Sequence, residues 1–107
     1  VLMVDDMIST AGTICGAADL VMERGAKRVI AAASHPVLCG LAMDRLAEAP
    51  IERIVVTDTI PDRGRLDPIR HKLAELTVAP LLGEAIYRIH HDMSISALFQ
   101  RGTGVKR

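Results

Sequence analysis

Short apolar runs that alternate with stretches of helical spacing constrain this chain more than any other feature. Val1 to Val4 is an apolar run followed by polar residues, as expected of a strand buried on both faces. From about Thr13 the period changes, and Ile14, Ala17, Ala18, Val21 and Met22 fall on one helical stripe with Gly25 as a C-terminal stop. Arg28 to Ala33 reads as a second buried strand, and "SHPVLCG" as a loop. Leu41, Ala42, Arg45 and Leu46 suggest a short helix ending before Pro50, and Arg53 to Thr57 is a third strand. The segment 61 to 68, rich in charge, Gly and Pro, is expected to be an exposed loop. Leu73 to Val78 is a further strand, although Ala74 and Glu75 are also good helix formers. Pro80 opens a last helix whose apolar face is Leu82, Ala85, Ile86 and Ile89.

Strands alternating with helices imply right-handed crossovers, hence an α/β fold with a mainly parallel sheet flanked by helices. Ligands of such sheets bind beyond the carboxyl ends of the strands. The loops 5 to 13, 34 to 40 and 58 to 68 therefore matter most. With 107 residues, half of them hydrophobic, the chain suffices for one compact domain or most of one. We read it as one domain over residues 1 to 99, truncated at its N-terminus because Val1 enters a strand at once, with a flexible tail over 100 to 107.

Composition narrows the function. Thirteen basic residues balance thirteen acidic ones, which leaves no footprint for a nucleic-acid or membrane-surface binder. Tyr87 and Phe99 are the only aromatics, so stacking on single-stranded bases has no platform. Cys15 and Cys39 form no CxxC pattern and read as reduced thiols of a cytoplasmic protein. No run reaches the about 18 apolar residues of a membrane span, and no signal-peptide pattern is visible.

The stretch "VDDMISTAGT" carries the chemistry. Ser9 to Thr13 lies between a strand end and a helix start, where free N–H groups and the positive end of the helix dipole favour an anion. Gly12 is expected to take positive φ for the turn, while Ser9, Thr10 and Thr13 add hydroxyl donors. No GK[ST] is present, so this is not a Walker loop; it would hold one phosphate group. Asp5 and Asp6 would repel that phosphate unless something donates to them, and a diol or a hydrated magnesium ion is the natural complement. A phosphate cup beside a diol acceptor describes a sugar phosphate such as ribose 5-phosphate. The plainer alternative is that Ser9 and Thr10 cap a helix whose dipole the aspartates offset.

"VDDMISTAGT" closely resembles the phosphoribosyl-pyrophosphate loop of type I phosphoribosyltransferase folds. With "ERGAKRVIAAASHPVLCG", "IVVTDTIP" and "LTVAPLLGEAIYRIHHDMSISALF", residues 1 to 99 resemble the C-terminal part of the ribose-phosphate pyrophosphokinase family. That resemblance implies transfer of the diphosphoryl group of ATP to ribose 5-phosphate, with magnesium bridging the polyphosphate and the ribose. It implies that Asp5 and Asp6 hold the ribose hydroxyls and that Ser9, Thr10, Ala11, Gly12 and Thr13 hold the 5-phosphate. Ser9 stands where an aspartate is common in bacterial members. The family's catalytic lysine and arginine, its metal-binding His and Asp, and its adenine-binding residues would lie upstream of Val1, which leaves no catalytic or metal residue here. Family members assemble as homo-oligomers, and Ser94, Ser96 and Phe99 match positions of a regulatory pocket. The alternatives are a nucleobase phosphoribosyltransferase and a non-catalytic regulatory protein that keeps the loop for binding.

Outside the loop, His35 is expected to make a structural hydrogen bond to the neighbouring loop rather than to bind metal. Met7 is expected to brace the loop from below, and Lys27, Arg28, Arg63 and Arg65 to be solvated charges.

Overall fold

The computed structural model describes residues 1–100, so the tail expected over 100 to 107 lies, beyond Gln100, outside the described residues. The chain divides into two compact units, Val1–Thr77 and a second beginning at Val78.

The first unit is a four-stranded sheet in the order β1-β2-β3-β4, parallel throughout. Its strands are β1 (Leu2–Ile8), β2 (Ile30–Pro36), β3 (Arg53–Thr57) and β4 (Leu73–Leu76). Helices α1 (Gly12–Glu23) and α2 (Ala42–Glu48) and a 3₁₀ helix (Asp67–Lys72) make the crossovers. The expected parallel α/β sheet is thus present, and β3 has the expected bounds.

Each strand is added beside the last in the same direction. A right-handed crossover repeated that way puts every connection on one face. The burial pattern agrees. Ala31 and Ala33 of β2 and Ile54 and Val56 of β3 are buried in one cluster with Cys15 and Ala18 of α1, Ala42 and Leu46 of α2, and Ile69 of the 3₁₀ helix. Burying Leu46, Ile54 or Ile69 in full contributes about 1.5–3 kcal/mol each. The alternate residues face the other side, where Ile30, Ala32 and Val55 are half-buried while Leu2 is 64% and Val4 72% exposed. An all-parallel sheet ordinarily has both faces covered; within this unit only one is.

Several boundaries differ from expectation, among them the start of β2 at Ile30 instead of Arg28 and the end of β4 at Leu76 instead of Val78. β1 runs to Ile8 and takes Asp5 and Asp6 into the strand, because β2 offers partners up to the end: Asp5 pairs with Ala33, Met7 with His35 and Ile8 with Pro36. For the same reason β2 runs to Pro36, so Ser34 and His35 are strand, not loop. The 3₁₀ helix was hidden by its Asp-Pro start and basic end; Ile69 and, just before it, Leu66 anchor it, both fully buried. On α1, Cys15 and Ala18 are buried, with Ile14 and Val21 packed against the core, whereas Met22 is exposed.

Lys72 ends the 3₁₀ helix and is only 8% exposed. Its ammonium donates to the carbonyls of Leu46 (2.8 Å), Ala47 (3.2 Å) and Ala49 (3.2 Å) at the end of α2. The last carbonyls of a helix lack internal partners, and a cation there satisfies them and meets the negative end of the dipole.

In the second unit, α3 (Ala79–His90) starts with Pro80 in its first turn, as expected. Its expected apolar face is not buried: Leu82, Ile86 and Ile89 are all exposed. Arg88 pairs with Glu84 one turn earlier, and His91 beyond the helix bonds Tyr87 O through Nδ1 (2.8 Å). A short α4 (Ser96–Phe99) follows.

Candidate functional site

β1 delivers Ile8 to the core, and the chain crosses to α1 in three residues, Ser9, Thr10 and Ala11. Two neighbouring segments hold this loop. Leu38 N donates to Ile8 O (2.9 Å) and Cys39 N to Ser9 O (3.0 Å). From α2, Arg45 Nη1 donates to Thr10 O (2.8 Å). Cys39 Sγ lies 3.6 Å from Ser9 Oγ at the same rim.

The left-handed residue of the turn is Ala11, with φ of 62°, and not Gly12 as expected. Gly12 opens the helix with negative φ. A Cβ there would sit 3.4 Å from Arg45 Nη1, an ordinary contact with the end of a flexible side chain. Ala11 is buried, and its methyl tolerates the left-handed region at a cost of about 1–2 kcal/mol. Strain of this kind persists only where the surroundings enforce it.

The helix-capping alternative fails on geometry. The N-cap of α1 is Ala11, no side chain caps the helix, and its first turn holds no acidic residue. The N–H groups of a first helical turn have no partners inside the helix. Here they border a cleft of about 280 Å³ lined by Asp5, Met7, Ile8, Ser9, Thr10, Ala11, Gly12, Thr13 and Ile14. Asp5 and the whole expected phosphate loop therefore share one cavity, while Asp6, next along the strand, is not among its lining residues. Both carboxylates are exposed. Asp5 Oδ1 accepts the N–H of Asp6 and Asp6 Oδ1 that of Met7, each at 2.8 Å. One oxygen of each is thereby oriented, and the other lies outside those bonds. Met7 lines the cleft and is exposed instead of packing beneath the loop.

At the ends of β2 and β3, His35 Nδ1 lies 2.9 Å from Thr59 Oγ1, the structural hydrogen bond expected of it. Thr57 Oγ1 and Thr59 Oγ1 both donate to Ser34 O (2.6 and 3.2 Å), and Arg65 reaches Val37 O (3.3 Å). Of the charges expected to be solvated, Arg28 is exposed and makes a two-point surface pair with Glu52 (2.6 Å each). Ser94, Ser96 and Phe99 belong to the second unit, where Ser94 Oγ accepts the Ser96 N–H (3.2 Å) and Phe99 is 81% exposed.

Among the described residues no group of three or more His, Cys, Asp or Glu side chains converges as a cation site. Nor is any helix among them long and apolar enough to cross a membrane. Sequence reasoning missed Arg45 as a loop contact, since 35 positions separate it from Thr10 and no local pattern marks it.

Residues 1–100 match the family described as the phosphoribosyl synthetase-associated domain. The chain is 63% identical over 99 residues to a ribose-phosphate pyrophosphokinase of Rhodopirellula baltica, covering 92% of this chain and 31% of that protein. It is 50% identical over 101 residues to the ribose-phosphate pyrophosphokinase of Listeria ivanovii, covering 92% and 30%. The crystal structure of phosphoribosylpyrophosphate synthetase from Mycobacterium smegmatis superposes with a TM-score of 0.80 at 43% identity, over 85% of this chain and 30% of that one. The chain thus spans about a third of the length of the curated relatives it matches.

Proposed function

The chain belongs to the phosphoribosyl synthetase-associated domain family, and from that premise we propose that it supplies the ribose 5-phosphate half of a ribose-phosphate diphosphokinase site. One observation carries the proposal: Asp5 and the Ser9–Thr13 loop line a single cleft where β1 meets the start of α1. A sugar phosphate needs both, hydroxyl acceptors at one end and clustered N–H and O–H donors at the other.

In the complete reaction, diphosphate moves from ATP to the anomeric hydroxyl of ribose 5-phosphate, leaving AMP and phosphoribosyl pyrophosphate. Such transfers depend on alignment and charge neutralisation more than on covalent chemistry. The contribution of this chain is alignment. The loop Ser9, Thr10, Ala11, Gly12 and Thr13 fixes the 5-phosphate, and Asp5 with Asp6 orients the ring hydroxyls. A magnesium ion bound with the substrates would neutralise polyphosphate charge. It keeps most of its waters and takes one or two carboxylates at most. Asp5 and Asp6, exposed and each with an oxygen outside the backbone bonds, fit that limited role.

The catalytic lysine and arginine, the metal-binding His and Asp and the adenine-binding residues that the family resemblance implies would complete the chemistry, and the assembled enzyme would be a cytoplasmic homo-oligomer with Ser94, Ser96 and Phe99 at a regulatory pocket. The family description also favours a second reading, a non-catalytic associated protein that binds the sugar phosphate only.

Titrating the purified chain with ribose 5-phosphate, ribose and inorganic phosphate, followed through backbone amide shifts, tests the proposal. Ribose 5-phosphate should shift the amides of 5–6 and 9–13 together, phosphate only those of 9–13, and ribose neither strongly. Shifts that avoid both segments would overturn it. The chain alone should release no AMP from ATP and ribose 5-phosphate.

A further inference from the structure

The strained turn at Ala11 raises the question of what enforces it. Its own side chain is a methyl group, and no side chain caps the helix that follows. The candidate is Arg45, which reaches across from α2. Its flanking residues Ala42 and Leu46 are fully buried, so the helix that carries it is fixed against the core.

We propose that Arg45 is a positioning residue for the phosphate loop: it pins the Thr10 carbonyl toward α2 and so fixes the orientation of the peptide that leads into Ala11. The argument is geometric. The Thr10–Ala11 peptide is trans, as are all peptides among the described residues. In a trans peptide the C=O and N–H point in opposite directions. Holding Thr10 O at 2.8 Å from Arg45 Nη1 therefore aims the Ala11 N–H away from α2. Without that hold the Thr10–Ala11 peptide is free to rotate, Ala11 relaxes from its φ of 62° to the common region, and the ordered row of loop amides is lost.

Gly12 lies beside the same contact: a Cβ there would meet the Arg45 guanidinium at 3.4 Å, an ordinary contact with the tip of a flexible side chain. The guanidinium also places a positive charge against the loop, on the side opposite the amide it aims, where it favours an anion without blocking it. Asp5 and Asp6 do not touch this contact. Arg45 acts through the loop and requires no contact with the ligand.

The affinity arm of the test rests on the sugar-phosphate reading; the conformational arm does not. Amide hydrogen exchange of Cys15 and Cys39, whose N–H groups donate to Ala11 O and Ser9 O on either side of the turn (3.0 Å each), is measured on the full chain without ligand, for wild type, Arg45→Met, Arg45→Gln and Arg45→Lys. Arg45→Met should speed exchange there by about tenfold or more, the loss expected for a hydrogen bond to a charged group, with sheet amides unchanged. Arg45→Lys should restore part of the protection, and the uncharged Arg45→Gln should lose about as much as Arg45→Met. Binding of both ribose 5-phosphate and inorganic phosphate should weaken about tenfold in Arg45→Met, by the same factor for each, because both use the loop. The exposed Arg24→Met should change nothing. Exchange of Cys15 and Cys39 within twofold of wild type in Arg45→Met would overturn the proposal. If Arg45→Met does not fold, Arg45→Gln decides it by the same twofold criterion. Wild type that binds neither probe would refute the proposed function and leave the exchange data to judge Arg45.

Discussion

Replacing Lys72 with methionine separates two accounts of a buried ammonium group. The substitution keeps the length and apolar area of the stem and removes the charge with its three hydrogen bonds. In one account the charge is a burden, since desolvating an ammonium group is costly and a hydrophobic replacement is often neutral or stabilising. In the other it is needed, because the carbonyls of Leu46 and Ala47 at the end of α2 would lose this donor, while Ala49 O keeps the Ile51 N–H (2.7 Å). The structure decides through the surroundings of those acceptors. Leu46 is fully buried and bonds at 2.8 Å, so its carbonyl loses a charge-assisted bond worth about 1.5–3 kcal/mol. Ala47 and Ala49, at 3.2 Å, are less enclosed and can recruit water, which returns most of their loss. The net expectation is a destabilisation of about 2–3 kcal/mol. With a urea slope at the low end for small proteins, ~1–1.5 kcal/mol/M, the midpoint falls by roughly 2 M. Circular dichroism is the right probe, because there is no tryptophan and Tyr87 lies in the second unit. Lys72→Arg should retain part of the stability. An unchanged or raised midpoint in Lys72→Met would refute the reasoning and show that desolvation outweighs the cap.

Other substitutions test other links. Asp5→Asn should weaken ribose 5-phosphate binding about tenfold while leaving inorganic phosphate within twofold, as calorimetry would show, since only the sugar end uses the carboxylate. Ala11→Val, a β-branched residue at φ of 62°, should destabilise the chain by about 2 kcal/mol in urea unfolding, whereas Ala11→Gly should be neutral or stabilising. The Leu66 N–H first, and then Arg70, hold the Asp62 carboxyl below its ordinary value. A lowered carboxylate stabilises the fold above its unfolded pKa, and that contribution disappears as pH falls through the folded one. The stability gap between wild type and Asp62→Asn should therefore be full at neutral pH and close below about pH 4. Burial first, and then Asp19, push the Cys15 thiol up, so a thiol reagent at pH 8 should label Cys39 quickly and Cys15 slowly.

The elements most legible in the sequence were those whose signal is local. β3 is bounded by an acid before and a turn after, and its core "IVV" suits no other element, so its bounds matched. The strand-to-helix junction at Ser9–Thr13 was legible because a strand end, small residues and a helix start sit within a few positions. The ends of β1 and β2 were not, because Asp5, Asp6 and His35 are typical loop residues, and only the neighbouring strand keeps them extended. Leu66 and Ile69, three apart as in a 3₁₀ turn, could have announced the helix obscured by Pro68. Nothing local marks Arg45 or Lys72, whose partners lie 35 and 23 to 26 residues away. The left-handed turn fell on Ala11 because a contact from α2 outweighed the greater freedom of Gly12.

The one-sided sheet limits what protein engineering can do with this chain. Strands laid down in a single direction, with connections of one hand, leave Leu2, Val4 and Leu76 bare whatever residues the helices carry. No redesign of α1 or α2 can shelter them. Threonine at those three positions would reduce self-association at high protein concentration, and the cleft would keep its shape because none of the three lines it.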